Sequence, residues 1–561
     1  MKTSKIRIGI ILLLFLSLYS ILILRLFYWQ VVRANDLQDL GRYQAADSLI
    51  LLARRGEIRS ADDFPLATNK PSYLLYANPK IVKDRKDYAN KLKDVLRKDE
   101  ASISAQLDMD LFWVALARNL TNEKKEEVEK LRLEGLGFQL ESFRMYPEAS
   151  LAAHLVGFLG KNELGAPQGY FGLEGYYNEQ LKGRSGRLFV VKDALGNPVI
   201  NDIREEKKID GRTIVTTIDR TIQYIAEQKL KEGVEKYEAD GGSIIIMDPK
   251  SGQIKALASF PNFNPESYYE FDSSSYKSPI ISSVFEPGST FKVIVMAAAI
   301  DLNKVMPDTK CPICDKPIEI SGYKIKTWND KYYPNTTMTE VIQHSDNTGM
   351  VFVGQKLGVD NFVARLKKFG FGQKTEVDLQ GEITGQLRNA SDWRVIDLAT
   401  ASFGQGISIT PLQLLAAVNP IANNGKRMKP YLVDKIITDE GKLLSVNPQV
   451  MSYPISETTS KVVTWMMVNA VEKGESKWTK IKGLKVAGKT GTAQIPVAGH
   501  YDPNSTIASF VGFFPADDPQ ISMLVLIDKP RTSVYGSETA APVFFNVARE
   551  VVKYLNIPLK Y

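Results

Sequence analysis

The chain has 561 residues, which is too long for one ordinary core and indicates about two to four domains. Its composition, 44% hydrophobic and 24% charged, excludes a disordered tail, a collagen-like fibre and a small disulfide scaffold. The net charge of +7 is spread over 71 basic and 64 acidic residues, so a nucleic-acid-binding face is not expected. Only 3 histidines are present, and we predict neither a metal site nor a cofactor.

The first predicted element is an apolar run that begins at Ile8 and can extend to Val32. Its length suits a single membrane-crossing helix. A cleaved signal peptide is the alternative, but the run is long for one and no small-x-small cleavage site follows it. Because basic residues precede the run, we expect a cytoplasmic tail over residues 1–7, an anchor in the cell membrane over residues 8–32, and an extracytoplasmic remainder.

The region from residue 33 to residue 240 has a mixed and strongly charged composition. Apolar residues at helical spacing predict an amphipathic helix over Lys83–Glu100. Asn122–Leu133 is a weaker helix candidate, and we interpret the charges of both segments as solvated helix faces.

The residue pattern of the sequence changes at Gly241. Ser243–Met247 and Gln253–Ala258 are predicted strands joined by a turn, which indicates a hairpin. More strands are predicted near the C-terminus, at Ile507–Phe514 and Ile521–Ile527. Helices are predicted at Phe291–Leu302, Thr339–Gln343, Asn361–Phe369 and Ala541–Leu555. Strands at both ends with helices between them indicate one sheet with a helical insertion, an α/β or α+β enzyme domain over residues 241–561.

Two cysteines occur in this region, Cys311 and Cys314. They are compatible with a local disulfide in an exported protein, with half of a zinc site, or with two incidental thiols. Zinc is disfavoured because there is no second cysteine pair and His344 is the only histidine nearby. The redox state of the pair stays open.

The first chemical motif is Ser289-Thr290-Phe291-Lys292, which follows Glu286-Pro287-Gly288. The Pro-Gly turn is expected to place Ser289 at the start of a helix, with Lys292 on the same face. At the positive helix end, the Ser289 N–H is free to bind an oxyanion. A lysine whose pKa is lowered by burial or by a second cation can act as the base for the serine. Alone the motif carries little weight, because Ser-x-x-Lys arises by chance in a long chain.

The second motif is Ser345-Asp346-Asn347. Its hydroxyl can relay a proton to a leaving amine and its Asn amide can bind a substrate carbonyl. Alone, such a sequence is more often a helix N-cap or a turn.

The third motif is Lys489-Thr490-Gly491-Thr492, in a predicted strand. There Lys489 and Gly491 face one side and Thr490 the other. A glycine lets a substrate backbone pair alongside, and the Lys charge and Thr hydroxyl suit a carboxylate.

In this order the three motifs are the signature of penicillin-binding proteins and class A β-lactamases. Over essentially its whole length, the chain further resembles the class B penicillin-binding proteins, which are membrane-anchored peptidoglycan D,D-transpeptidases. The segments 55–58 and 66–67 resemble the family's segment just outside the membrane, although Ser60 and Asp63 stand where the family usually has Asp and Gly. The segments that match the non-catalytic pedestal of the family are 144–147, 153–157 and 172–174. The segments that match the surroundings of the active site are 403–407, 410–413 and 509–513. Glu286–Ser289 and the segment from Phe403 resemble the division-type rather than the elongation-type branch.

The resemblance implies a fold shared with the serine β-lactamases over residues 241–561 and an elongated α+β pedestal over residues 33–240. It implies a Ser289 acyl-enzyme, with an oxyanion hole formed by the N–H groups of Ser289 and Thr492. His154 and Glu174 are expected to be structural. The implied catalytic set is Ser289, Lys292, Ser345 and Lys489. The implied substrate-binding set is Asn347, Thr490, Gly491 and Thr492.

The resemblance also implies substrates and partners. The donor would be a peptidoglycan stem peptide ending in D-Ala-D-Ala, which β-lactams mimic, and the acceptor an amine of a neighbouring stem peptide. The usual partner in the family is a polytopic lipid II glycosyltransferase of the SEDS class, contacted through the membrane helix and the pedestal, together with other proteins of the division machinery.

Two alternative functions are less favoured by the sequence. A β-lactamase or β-lactam sensor on the same fold is disfavoured, because the nearest candidate for a deacylating Glu-x-x-Leu-Asn run, Glu376 to Gln380, departs from it at Gln380. A non-catalytic scaffold of a cell-wall assembly complex is disfavoured because all three motifs are intact.

Overall fold

The computed structural model describes residues 2–37, 46–192, 198–497 and 500–560. Met1 and Tyr561, the outer limits of the predicted tail and catalytic domain, lie outside the described residues, as do two short segments of the predicted pedestal. The chain divides into two compact units, one of Met1–Arg54 with Gly183–Asp210, and one of Arg55–Lys182 with Gly211–Tyr561.

The helices and strands of the described residues are numbered in chain order. The strands β1 to β21 are Ala46–Leu51, Ile58–Arg59, Pro65–Ala77, Val114–Leu120, Leu136–Met145, Phe158–Lys161, Pro167–Tyr170, Gly186–Lys192, Pro198–Glu206, Thr213–Thr216, Gly241–Met247, Ile254–Phe260, Ile318–Ile320, Tyr323–Ile325, Arg427–Met428, Val433–Ile437, Leu443–Ser445, Val450–Ser452, Ala487–Val497, His500–Phe514 and Ile521–Asp528. The α-helices α1 to α17 are Lys2–Phe27, Arg85–Leu96, Glu100–Leu107, Asn122–Lys130, Ala153–Val156, Gly172–Tyr176, Asn178–Leu181, Arg220–Lys236, Pro279–Ser282, Lys292–Asp301, Met338–Gln343, Asn347–Leu357, Val359–Phe369, Val395–Ala401, Pro411–Ala422, Glu457–Lys473 and Ala540–Tyr554.

The N-terminal unit contains α1, a π-helical turn at Tyr28–Val32, and a three-stranded antiparallel sheet in the order β1-β8-β9. Over Ile6–Val32 the helix is long and apolar enough to cross a membrane, and none of its most apolar stretch is buried. An exposed apolar surface of this size is stable in lipid rather than in water. The helix therefore fits the predicted single anchor.

Residues 55–182 of the second unit are built on a mixed sheet in the order β17-β16-β10-β2-β3-β4, with β5 also paired to β3. The predicted helices of this region are confirmed as α2 and α4. Asp84 begins α2 by accepting a hydrogen bond from the Asp87 N–H at 3.0 Å. The helix then buries Ala89, Leu92 and Leu96 in a small core that it shares with α3 and β4.

A buried ion triad joins the segments that resemble the family pedestal. The Glu174 carboxylate accepts from Arg144 Nε at 2.6 Å and from Arg55 Nε at 2.8 Å. Arg144 also donates to the carbonyl of Gly56 at 2.8 Å. The carboxylate is fully buried, and the two guanidinium groups hold its pKa below the ordinary value although burial opposes this. Segments far apart in sequence are thereby fixed to one another.

The predicted enzyme domain, residues 241–561, is built on a five-stranded antiparallel sheet in the order β12-β11-β21-β20-β19. The predicted hairpin is confirmed, with Ile245 opposite Leu257. Side chains alternate between the faces: Ile244 and Ile246 pack with α8 and α17, whereas Ile245 and Met247 pack with the helical insertion. The sheet is thus enclosed by helices on both sides, which agrees with the predicted enzyme domain.

The hydrophobic core of the second unit continues across the predicted boundary at residue 240. One buried cluster contains Leu155 and Leu173 together with Phe291 and Leu524. Strand β10 also pairs with β16 in an antiparallel ladder, so the predicted enzyme domain supplies strands to the sheet of residues 55–182.

Candidate active site

The turn that carries Ser289 packs directly against the Lys-Thr-Gly strand. Gly288 has φ of +54°, and a Cβ added there would lie 2.9 Å from the carbonyl oxygen of Thr492. Glycine therefore permits both the left-handed conformation and the close approach. The expected helix start is corrected: Ser289 lies in a 3-10 turn, Gly288–Phe291, and the α-helix begins at Lys292.

The loop between α11 and α12 presents the second motif. Ser345 has φ of +57°, an uncommon conformation for a residue with a side chain, and strain of this kind is concentrated at functional sites. Asp346 fixes the loop as the N-cap of α12, because its carboxylate accepts from the N–H groups of Thr348 at 2.7 Å and Gly349 at 3.1 Å. Asn347 is the first residue of that helix.

The third motif lies on β19, which is an edge strand of the five-stranded sheet. One side of its backbone is therefore available to pair with an extended peptide. A Cβ at Gly491 would lie 2.3 Å from Ser509 Oγ and 2.8 Å from Thr290 Cγ2. The glycine is required by this packing, which sequence reasoning did not anticipate, and pairing with a substrate backbone stays a prediction.

The three motifs meet at a cleft of about 300 Å³. The predicted site residues that line it are Ser289, Ser345, Asn347, Thr490, Gly491 and Thr492. Lys292 and Lys489 lie beneath its floor, with 0% and 3% of their surfaces exposed.

The two buried lysines converge on one hydroxyl group. Lys292 Nζ donates to the Ser345 carbonyl at 2.6 Å and to Asn347 Oδ1 at 2.7 Å, and it lies 3.3 Å from Ser345 Oγ. Lys489 Nζ reaches the same Ser345 Oγ at 2.9 Å and Thr490 Oγ1 at 3.2 Å. The structure thus links Lys292, Ser345 and Lys489 in one continuous network.

Burial controls the protonation of both lysines. Burial and, secondarily, the charge of Lys489 lower the pKa of Lys292 from 10.5 to about 7. Burial also lowers the pKa of Lys489, and the Glu475 carboxylate opposes this. Because both amino groups contact the same Ser345 hydroxyl, their like charges disfavour double protonation, and the proton is expected on Lys489 and the free amine on Lys292.

Within the described residues, the hydrogen bonds of Lys292 Nζ all go to Ser345 and Asn347 and none to Ser289. Asn347 uses both ends of its amide, because Nδ2 donates to the carbonyl of Lys326 at 2.9 Å. In the free enzyme, catalytic hydrogen bonds are often incomplete and form only with substrate.

Several cleft residues were missed by sequence reasoning, among them Glu475, Trp328 and Tyr535. The rings of Trp328 and Tyr535 meet edge-on with centroids 5.5 Å apart. Gln405 also lines the cleft, and it falls in segment 403–407, which resembles the surroundings of the active site in the family. Glu475 lies in a run of charged residues after α16, where nothing in the local sequence distinguishes it from a solvated surface.

The other chemically notable residues lie outside this network. Cys311 and Cys314 form a disulfide with each other, which resolves their open redox state and leaves no thiolates for zinc. His154 is buried, which lowers its pKa to about 4, and its Nε2 lies 2.9 Å from the carbonyl oxygen of Ser275. Together with the Glu174 triad, this geometry is that of structural residues.

Comparison with known proteins places the chain in a family. Residues 242–549 match the penicillin-binding protein transpeptidase domain, and residues 50–216 match the penicillin-binding protein dimerisation domain. The chain belongs to the penicillin-binding proteins.

Among the relatives of this penicillin-binding protein is stage V sporulation protein D of Bacillus subtilis (strain 168), 34% identical over 97% of the chain and 86% of that protein. Peptidoglycan D,D-transpeptidase FtsI of Escherichia coli (strain K12) is 30% identical over 94% of the chain and 87% of that protein. Among solved structures, penicillin-binding protein 2X of Streptococcus thermophilus is 25% identical over 91% of the chain and 80% of that chain, with a TM-score of 0.76. These relatives support the division-type branch.

Proposed function

We propose that the protein is a membrane-anchored peptidoglycan D,D-transpeptidase that cross-links stem peptides through a Ser289 acyl-enzyme during septal or related division-type wall synthesis. The observation that carries this proposal is the meeting of Lys292 and Lys489 at the Ser345 hydroxyl, under a cleft that Ser289 lines. Such a network supplies a neutral base and a proton relay without any histidine or metal.

The acylation step follows from this network. Ser289 Oγ attacks the carbonyl carbon of the penultimate D-Ala, and its proton passes to the Lys292 amine. The N–H groups of Ser289 and Thr492 bind the developing oxyanion. Ser345, held between the two lysines, then returns a proton to the nitrogen of the terminal D-Ala, so that the C–N bond breaks and D-Ala leaves.

The remaining motif residues hold the donor peptide. The donor backbone pairs along the free edge of β19 beside Gly491, and Asn347 binds a substrate carbonyl. Lys489, Thr490 and Thr492 bind the terminal carboxylate. An amine from a second stem peptide then attacks the ester and restores Ser289.

β-Lactams are expected to acylate the same serine, because their strained amide and carboxylate mimic D-Ala-D-Ala. The match to a family described as penicillin-binding, and the likeness to penicillin-binding protein 2X, support this.

For the whole chain we propose a cytoplasmic tail over residues 1–7, an anchor over 8–32, a pedestal over 33–240 and the transpeptidase domain over 241–561 outside the membrane. The exposed apolar helix Ile6–Val32 supports the anchor, and the basic residues before it support the orientation. A SEDS-class glycosyltransferase and other division proteins are the proposed partners of the anchor and the pedestal.

Labelling with a fluorescent penicillin tests the proposed nucleophile. We expect the wild-type chain to be labelled with one penicillin per molecule and Ser289→Ala to lose all labelling. Ser283→Ala removes an exposed hydroxyl nearby and is the matched control, expected to label like the wild type. Equal labelling of Ser289→Ala and wild type would show that another residue is the nucleophile.

A further inference from the structure

Glu475 is the one carboxylate among the described residues that line the cleft. It follows α16, and its Oε2 accepts a hydrogen bond from Thr490 Oγ1 at 3.0 Å. Its other oxygen, Oε1, is buried and has no hydrogen-bond partner among the described residues. A buried carboxylate oxygen without a donor is costly, so a turn of the Glu475 side chain that brings Oε1 to the donor of a bound ligand is favoured.

Thr490 couples Glu475 to the catalytic network. Its hydroxyl donates to Glu475 and receives a hydrogen bond from Lys489 Nζ at 3.2 Å, and the same ammonium reaches Ser345 Oγ at 2.9 Å. A hydroxyl has a single proton to donate. A substrate carboxylate that takes the Thr490 proton must therefore displace Glu475 while remaining next to its negative charge.

Two different groups occupy this part of the cleft in turn. The nitrogen that leaves in acylation and the nitrogen that attacks in deacylation must take the same position, because one reaction is the chemical reverse of the other. The leaving D-Ala bears a carboxylate on the carbon next to this nitrogen. The incoming amine arrives mostly as an ammonium group, which is a positively charged hydrogen-bond donor.

We propose that Glu475 is the specificity-determining residue of the acceptor subsite and selects an amine whose own carbon bears no free carboxylate, such as a side-chain amine or an amidated amino acid. This rests on the proposed transpeptidase function. The carboxylate attracts the ammonium through Oε1 and repels the carboxylate of D-Ala, which favours its departure and opposes its return.

The covalent step itself is unchanged by this assignment. The ammonium first releases one proton to solvent. Its nitrogen then attacks the ester carbon, the C–O bond to Ser289 breaks, and the second nitrogen proton returns through Lys292 to Ser289 Oγ.

The test compares two acceptors, D-alanine and D-alaninamide, whose amine-bearing carbon carries a charged carboxylate in the first and a neutral amide in the second. The full-length protein in detergent is given a thioester donor peptide, and both aminolysis products are quantified at equal concentrations of unprotonated amine. We expect the wild type to prefer D-alaninamide, and Glu475→Gln to reduce that preference by about 3- to 10-fold, as expected for removing one charge at about 6 Å when the open cleft screens it with an effective dielectric constant of about 40 to 80. Glu475→Asp keeps the charge and is expected to retain the preference.

The matched control is Glu472→Gln, which removes the same charge from an exposed position on α16. It is expected to leave the preference unchanged. Because the product ratio is independent of the fraction of folded enzyme, partial misfolding of a variant does not obscure it. An unchanged ratio in Glu475→Gln, or an equal change in Glu472→Gln, would overturn the assignment. Failure of the wild type to form any acyl-enzyme would instead refute the proposed function.

Discussion

At the scale of single residues, the site depends on how two buried lysines share one proton. Lys292 has no carboxylate within hydrogen-bonding distance in the described chain. Lys489, in contrast, contacts the Thr490 hydroxyl, which in turn contacts the Glu475 carboxylate. Burial, together with the charge of Lys489, lowers the pKa of Lys292 to about 7. Lys292 is therefore the group that can accept a proton from Ser289 near neutral pH.

This protonation state predicts the pH dependence of acylation. Lys292 must be unprotonated to act as a base, and its pKa is about 7. The rate constant for acylation by a fluorescent penicillin should therefore rise by about tenfold per pH unit below neutrality and level off above it. Stopped-flow labelling across this range measures it. A rate constant that does not change between acidic and alkaline buffers would show that Lys292 is not the base.

The motif residues could be identified from sequence because their spacing is a chemical signature, and the structure brings all eight of them to one cleft or to its floor. Glu475 could not. It lies 489 − 475 = 14 residues before Lys489 in a charged surface-like run, and only the tertiary path of the chain brings its carboxylate to Thr490.

At the scale of elements, the Glu174 triad is the clearest structural device outside the site. Glu174 joins α6 to β5 through Arg144 and to the segment before β2 through Arg55. Removing one partner of a buried pair leaves uncompensated charge in a low-dielectric interior.

We expect Glu174→Ala to destabilise the protein by about 3–5 kcal/mol, because both guanidinium groups would remain buried without their partner. Thermal unfolding followed by circular dichroism measures the loss. Glu179→Gln removes an exposed partner of Lys182 and is expected to leave the melting temperature unchanged. If both variants have the melting temperature of the wild type, the triad does not hold the pedestal segments in place.

Local elements were predicted well where periodicity or turn chemistry is strong, as for α2, α10, α13 and the β11–β12 hairpin. The pairing of β10 with β16 was not predicted. These strands are more than 200 residues apart, and nothing in either short segment specifies its partner, since ladder hydrogen bonds are made by the backbone.

At the scale of the whole molecule, the helix that fits a membrane anchor and the candidate active site are formed by different parts of the chain. The apolar helix spans Ile6–Val32, whereas the cleft is built from residues between Gly288 and Tyr535.

A chain that begins at Arg33 should therefore remain in the supernatant of a high-speed spin and be labelled by penicillin at the wild-type rate. The full-length chain should sediment with membranes and require detergent for release. Fractionation with in-gel fluorescence measures both properties. Recovery of the full-length chain in the soluble fraction would argue against the anchor.

The most direct test of the central claim is the reaction itself, followed by mass spectrometry. The full-length enzyme is incubated with a stem pentapeptide and an amine acceptor, and the masses of the protein and of the products are measured. We predict a tetrapeptidyl ester on Ser289, release of one D-Ala, and an amide product that contains the acceptor, all of which are lost in Ser289→Ala. Release of D-Ala by Ser289→Ala at the wild-type rate, or an acyl group on any other residue, would contradict the account.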